Sequence, residues 1–520
     1  MRPGDARDER RVRVTSGAPV LVLGADLEGL AAAATLAEAG RSVHVIDSRE
    51  RPGGLAGRVP VAEGYSAPGL LTECALVQRA LLADLQLDRA GFAWRDEPPV
   101  LHVGRNAPLM AIRHDRVDGV ASADAEAYRE WRAYIRRVGG FIAGILGDTP
   151  PVVDEPGLKD VLELAMRGLR LRSLGDSDMM ELLRIVTLPA RDWLDEHFSS
   201  PALKAGLAAP VLSGTIVGPR AAGTTALLLM REAARGAEPV GGLAGLADAL
   251  LSRCEELGVT LHLGDRPTNI LVEPGERRVT GVALGDGQLQ GAMVVSAMDP
   301  AETVLGLLDP GLLPHHVETE MTGWRRRGDT AIQLLACSSV AGFDGEGGEQ
   351  IERLITAGSE VELERAADAL KYGALPDEPC LDVRIWRGQP HAPVGGATLV
   401  VHVHGVPHGG ETGWNDEART RLRDRVVDVL ESVSPGVRGQ IIGESLLTPC
   451  DLERDFAMPG GHLYHGELGL DQLWLQRPSI ALSRYETPIA GLFLAGAGSH
   501  PGGPYFGGAG VLGARRALRD

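Results

Sequence analysis

The stretch LVLGADLEGLAAAATLAEAG, Leu21 to Gly40, constrains this chain more than any other. An apolar run from Ala18 to Leu23 predicts a buried strand, and an Ala- and Leu-rich segment from Leu27 to Ala39 predicts a helix stopped at Gly40. β-Branched and apolar residues from Ser42 to Ile46 predict a second strand, with Asp47 at its end. A β-α-β unit needs roughly thirty residues, which this segment supplies. Glycines at the turn each have a steric job when such a unit holds a dinucleotide. The first permits the turn, the second lets the pyrophosphate come close, and the third packs helix against strand. The helix N-terminus then offers free N–H groups to the phosphates. Here the window G-x-G-x-x-G is filled by Gly24, Ala25, Asp26, Leu27, Glu28 and Gly29. Gly24, Gly29 and the ribose-facing acid Asp47 are in register, and a carboxylate, Asp26, stands where the second glycine is expected.

The rest of the chain narrows the class. Its 520 residues suffice for two domains, and 23% charged against 44% hydrophobic residues is ordinary for a globular protein. A formal net charge of -18 excludes a nucleic-acid partner as the leading expectation, because phosphate binding wants a basic face. Cys74, Cys254, Cys337, Cys380 and Cys450 form no C-x-x-C pair, so no zinc or dithiol motif is written locally, and no metal is expected. Residues 1–17 read as a polar tail rather than a signal peptide, and no apolar run reaches the length of a membrane span. A cytoplasmic location is the expectation, with peripheral membrane contact left open.

Short strands and Gly-rich turns recur early, in the middle (VTLHL, NILVE, VTGVAL, AMVVSA) and late (GLFLAGAG). Between them, Glu73 to Gly236 reads as mostly helical, and no amphipathic stretch stands out as an insertion helix. The pattern predicts an α/β chain with a discontinuous dinucleotide domain, residues 18–85, 236–304 and 485–520. A mixed helix and sheet substrate domain, 86–235 and 305–484, is inserted between its pieces.

Several blocks carry a family resemblance. VLVLGADLEGLAAAATLAEAGRSVHVIDSRERPGGLAGR is similar to the N-terminus of the phytoene desaturase-like flavoproteins. PVGGLAGLADAL, VVSAMDPAETVLGLL, MPGGHLYHGELGLDQLWLQRP and YETPIAGLFLAGAGSHPGGPYFGGAGVLGARRAL resemble the branch of pyridine nucleotide-disulfide oxidoreductase domain-containing proteins. The resemblance implies a glutathione-reductase-type, Rossmann-like FAD-binding domain. It also implies hydride transfer between flavin and a carbon–carbon bond of an apolar or polyene-like substrate, by a desaturase, saturase or isomerase. Carried over by position, Gly24, Ala25, Gly29 and the helix start would hold the pyrophosphate, and Asp47 the adenosine ribose. Arg51, Gly53 and Gly54 would line the phosphate and ribityl side. Gly496, Ala497 and the final helix near Gly508 would face the ribityl chain and the flavin. His500 would lie near the isoalloxazine edge, with His465, Tyr464 and Tyr505 as further proton-handling candidates.

Departures from the family pattern fall on one cofactor. The Asp26 carboxylate, if about 4 Å from a phosphate oxygen, costs on the order of 1 to 4 kcal/mol. Pro267 stands where a backbone N–H is expected at the adenine, and proline has none. Asp47 replaces a longer Glu, and Pro504 and Tyr505 crowd the flavin end. The alternative expectation is a degenerate flavoprotein fold with weak or no FAD binding that serves as a binding or assembly partner. The histidines of VVHVHGVPH read as a polar strand face, and Asp471 and Arg477 as an ion pair that fixes a loop.

Overall fold

The strand Val20–Leu23 buries all four of its side chains, and they divide between two cores. Val20 and Val22 pack with the helix Leu27–Glu38, while Leu21 and Leu23 point into a separate cluster with Ile270, Val279 and Val282. This is why the segment reads as a continuous apolar run: a parallel strand covered on both faces has no polar side. The computed structural model describes residues 17–103, 109–153, 156–273, 275–285, 287–340, 343, 350–409 and 413–520. Of the tail read over residues 1–17, only Gly17 is among them.

Five strands form one parallel sheet in the spatial order Thr260–Leu263, Val43–Asp47, Val20–Leu23, Met293–Ser296 and Leu492–Leu494. They come from three widely separated stretches of sequence. The helices Leu27–Glu38, Gly242–Glu256 and Gly508–Ala517 contribute to the core on one face. A three-stranded antiparallel sheet, Pro267–Glu273, Arg278–Leu284 and Gly287–Gln290, contributes to the core on the other.

A second, eight-stranded sheet is built mainly from Thr330–Cys337, Arg353–Thr356, Leu381–Arg387, Ala397–His404 and Ile441–Leu447. Its far edge holds Val100–Val103, Met110–Ile112 and Val117–Asp118, inside the stretch expected to be mostly helical. Strands of two to four residues are too short to carry a readable period; Val100–Val103 pairs with Arg353–Thr356, and Met110–Ile112 and Val117–Asp118 add to it in turn. His402 and His404 share one face of their strand, but that face is buried rather than solvated. His402 meets the Leu70 carbonyl at 2.7 Å and Thr72 Oγ1 at 3.3 Å.

The helix Ser122–Gly147 buries Tyr128, Trp131, Ile135, Val138, Ile142 and Leu146. The next helix, Leu158–Arg172, buries none of its side chains. Leu158, Val161, Leu162, Met166 and Leu169 recur at helical spacing and are exposed, and Met180 and Leu183 of the helix Asp176–Ile185 are exposed as well. An amphipathic helix with an exposed apolar stripe therefore does stand out, contrary to the sequence expectation. Its DVLELAMRGLRLRSL pattern is that of any packed helix, and only the tertiary structure reveals that, among the described residues, this apolar stripe is left exposed. Among the described residues, no helix is long and apolar enough to cross a membrane.

Candidate cofactor site

The turn after the first strand is closed by the chain's own groups. Gly24 adopts φ +97°, and its N–H donates to Ile46 O at 2.8 Å. A Cβ on Gly29 would stand 1.9 Å from Gly24 O, so the first helix seats on the turn only because Gly29 has no side chain. Asp26 is the N-cap of that helix, with Oδ1 accepting the Gly29 N–H at 2.9 Å. Asp is among the best N-cap residues, worth about 1 kcal/mol over alanine. The residue that departs from the glycine pattern is thus a local helix cap. Burial pushes its carboxyl up, against the Gly29 N–H and the nearby Arg49 guanidinium.

Asp47 sits at the end of the second strand, as expected, and is engaged on both oxygens. Oδ2 accepts the Ala25 N–H at 2.6 Å, and Oδ1 accepts the Arg49 backbone N–H and Nε, each at 2.8 Å. Burial opposes its ionisation, but Arg49 and these N–H donors outweigh burial and hold it below the usual carboxylate range. Arg49, invisible as a candidate in the sequence, is part of the site.

A second residue that sequence reasoning missed is Glu28. It is buried, and its carboxylate accepts the Gly507 N–H at 2.7 Å and the Gly510 N–H at 2.6 Å. Gly507 is the N-cap of the final helix, Gly508–Ala517, so an acid from the first helix caps the last one across 479 residues of sequence. Close packing enforces the meeting, since a Cβ on Gly510 would lie 2.2 Å from Glu28 O. Burial pushes the Glu28 carboxyl up to about 8, against these two donors. Its signal in the sequence was an acid within an Ala/Leu-rich first turn.

Two connected spaces border this junction. An inner groove of about 80 Å³ is lined by Gly24, Asp26, Glu28, Asp47, His465 and Phe506, among others. It shares Gly53, Pro267, Met298 and Phe456 with an adjoining cleft of about 1920 Å³, whose walls also include Arg51, Gly54, Arg266 and Trp324. Small-molecule sites typically measure roughly 300 to 1,000 Å³, so the cleft is ample and the inner groove is closed down. Gly53, Pro267, Ala497 and Arg51 face one or both spaces. Gly496 packs against Ala297 O, and Gly508 against Pro501 and Gln78.

The proton-handling candidates separate. His465 lines the inner groove, and its Nδ1 meets no hydrogen-bond partner among the described residues. Burial lowers its pKa to about 4, so the ring is neutral at pH 7. His500 is not in the groove wall; its Nε2 lies 2.9 Å from Ile145 O on the helix Ser122–Gly147. Tyr505 is buried away from the groove, and the adjacent Phe506 takes the wall position. Tyr464 hydroxyl meets Ser213 Oγ at 3.0 Å.

Asp471 and Arg477 do not pair. Asp471 is bound by Arg325 at 2.6 and 2.9 Å. Arg477 is fully buried and donates to the carbonyls of Tyr464, Gly466, Glu467, Gln472 and Ala497. The short sequence separation suggested an ion pair, and five converging carbonyls outcompeted the single carboxylate.

A parallel sheet assembled from three chain segments, a glycine turn at a helix start and an acid ending the second strand define a Rossmann-like nucleotide-binding fold. Residues 22–71 match the NAD(P)-binding Rossmann-like domain model. The chain is 27% identical to the pyridine nucleotide-disulfide oxidoreductase domain-containing protein 2 of Mus musculus, covering 96% of this chain and 93% of that protein. It is 28% identical to the hydroxyneurosporene desaturase of Rhodobacter capsulatus, covering 93% of this chain and 94% of that protein. A solved structure of a putrescine oxidase variant with redesigned cofactor binding superposes with a TM-score of 0.62 at 16% identity, covering 96% and 98% of the two chains. The resemblance to phytoene desaturase-like proteins read from the sequence therefore holds over nearly the full length.

The frame fits the FAD that this fold implies. Turn, two helix N-termini and the acid at the strand end converge on one junction, beside a cleft of sufficient size. Within that frame, the N–H groups of Gly29, Gly507 and Gly510 already hold carboxylates of the chain itself.

Proposed function

We propose that the chain is an FAD-dependent oxidoreductase acting on a carbon–carbon bond of an apolar or polyene-like substrate, as a desaturase, saturase or isomerase. The observation that carries this reading is the meeting of the first and final helix N-termini at the Gly24 turn, in a chain similar over its length to a desaturase. Bound FAD supplies a hydride acceptor or donor. The first helix start and Asp47 would orient it, and Phe506, Phe456, Met458 and Leu463 exclude water from the inner groove. His465 would be the group placed to take the accompanying proton at Nδ1, which has no hydrogen-bond partner among the described residues, although burial makes it a weaker base than a free imidazole. In this reading residues 18–85, 236–304 and 485–520 form the cofactor domain, and 86–235 and 305–484 the substrate domain. The visible absorption spectrum of the purified chain, before and after incubation with FAD, tests the reading. A flavin band near one equivalent supports it, and a chain colourless in both would sink it.

The self-capped helix starts favour the second reading, a degenerate flavoprotein fold that binds partners rather than flavin. The same spectrum separates the two.

An apolar substrate is reached most directly from a bilayer. We propose that the helix Leu158–Arg172 rests on an anionic lipid surface, its exposed Leu158, Val161, Leu162, Met166 and Leu169 inserted. Lys159, Arg167, Arg170 and Arg172 lie on the same helix as Asp160 and Glu163, with Arg170 paired to Asp148, in a chain whose overall charge is -18. A basic amphipathic helix binds such surfaces through buried apolar area plus attraction to anionic lipids. Co-sedimentation with phosphatidylserine-containing vesicles is expected for the wild type, and Leu162→Glu with Leu169→Glu is expected to reduce it at least tenfold. Equal sedimentation of variant and wild type would refute the contact.

A further inference from the structure

We propose that Asp26 and Glu28 are the residues that govern cofactor admission here: their carboxylates stand on the helix N–H donors a dinucleotide phosphate would use, and FAD binds only by displacing them. The inference rests on the FAD reading and goes beyond it. Asp26 occupies the Gly29 N–H of the first helix, and Glu28 occupies the Gly507 and Gly510 N–H groups of the final helix. Helix N-termini attract anions through free N–H groups and the aligned peptide dipoles. A donor already satisfied by a side-chain oxygen of the protein offers an incoming phosphate little, and the acid must move before the phosphate can reach it.

Packing makes this a built arrangement. A Cβ on Gly54 would lie 2.9 Å from both Asp26 Cβ and Arg49 Nη1, so the Gly53–Gly54 turn is folded down over Asp26. Glu28 lies where the two helices are in tight contact, beside Gly510. Both acids line the inner groove of about 80 Å³, whereas the cleft outside it is open. An adenosine moiety can therefore be received in the cleft, while the pyrophosphate position is held by the protein. The charged groups facing Asp26 are Asp47 and Arg49, and the charged group facing Glu28 is Asp26.

The test uses the full chain, titrated with FAD and separately with riboflavin, a flavin without phosphate, and followed by flavin fluorescence and by the thermal midpoint. Asp26→Gly and Glu28→Ala are each expected to raise FAD affinity at least tenfold, and the double variant further, with riboflavin affinity changed less than threefold. Asp26→Asn keeps the helix cap and removes the charge. It is expected to give a smaller gain of the same sign, and it serves if the glycine variant fails to fold. Nanomolar FAD binding by the wild type with no gain in any variant overturns the proposal and leaves the FAD reading standing. Equal gains for FAD and riboflavin overturn it too, because the effect would then be one of space and not of phosphate. No FAD binding by the wild type or by any folded variant overturns both.

Discussion

Arg477→Ala is expected to destabilise the fold by about 4 kcal/mol or more, enough to remove most soluble protein. Arg477 is fully buried and makes six hydrogen bonds to five backbone carbonyls: Nη2 to Tyr464 O and Ala497 O at 2.9 Å each, and the rest at 3.2 to 3.3 Å. Removing the donor leaves several buried acceptors unsatisfied at about 1 to 3 kcal/mol each, with partial relief from entering water. The loss also frees the wall of the inner groove, because Tyr464 and Gly466 flank His465. Arg477→Lys keeps the charge but has three donors in place of five, so about half the loss is expected. Urea denaturation with a constant m-value measures both. An alanine variant within about 1 kcal/mol of wild type would show that Arg477 fills space without organising the loop.

Glu28 gives the second large effect, and it depends on pH. Burial holds its carboxyl up to about 8 in the folded chain, against an ordinary value of 4.5. The folded state therefore keeps a proton that the unfolded state releases. This contribution is fully present below about pH 4.5 and is lost as pH rises toward 8. A difference of this size corresponds to about 3 to 5 kcal/mol across the window. Glu28→Gln has nothing to ionise and lacks this slope. Its stability relative to wild type is therefore expected to improve by about that amount between pH 5 and pH 9, whatever hydrogen bonding the amide costs at low pH. Denaturation midpoints of both proteins at the two pH values provide the measurement. A wild type to variant difference that stays constant within about 1 kcal/mol would mean that Glu28 ionises normally despite its burial.

Much of the frame was legible because it rests on local rules. Continuous apolar strands, the glycine turn, the helix stop at Gly40 and Asp47 all fell near their expected places, since each is decided within a few residues. The strands between Val100 and Asp118 were not legible, because they are two to four residues long and join the sheet only where Val100–Val103 pairs with a segment some 250 residues later. His500, in a conspicuous glycine-rich block, was an expected neighbour of the flavin edge; its ring instead contacts Ile145 O. His465, less conspicuous, is the histidine in the groove wall. Asp26 was read as a defect at a phosphate site, and the structure gives it a second identity as a helix cap.

The sequence by itself determined the β-α-β unit, the alternation of sheet and helix and the resemblance to phytoene desaturase-like proteins. Periodicity, turn chemistry and motif spacing are properties of neighbouring residues. Only the tertiary structure decided what stands at the centre of the cofactor site. The partners of Glu28 lie 479 and 482 residues away, and those of Arg477 are backbone carbonyls, which no side-chain pattern announces. The same holds for the uncovered face of Leu158–Arg172, since an amphipathic helix looks alike in sequence whether its apolar side meets a core or solvent.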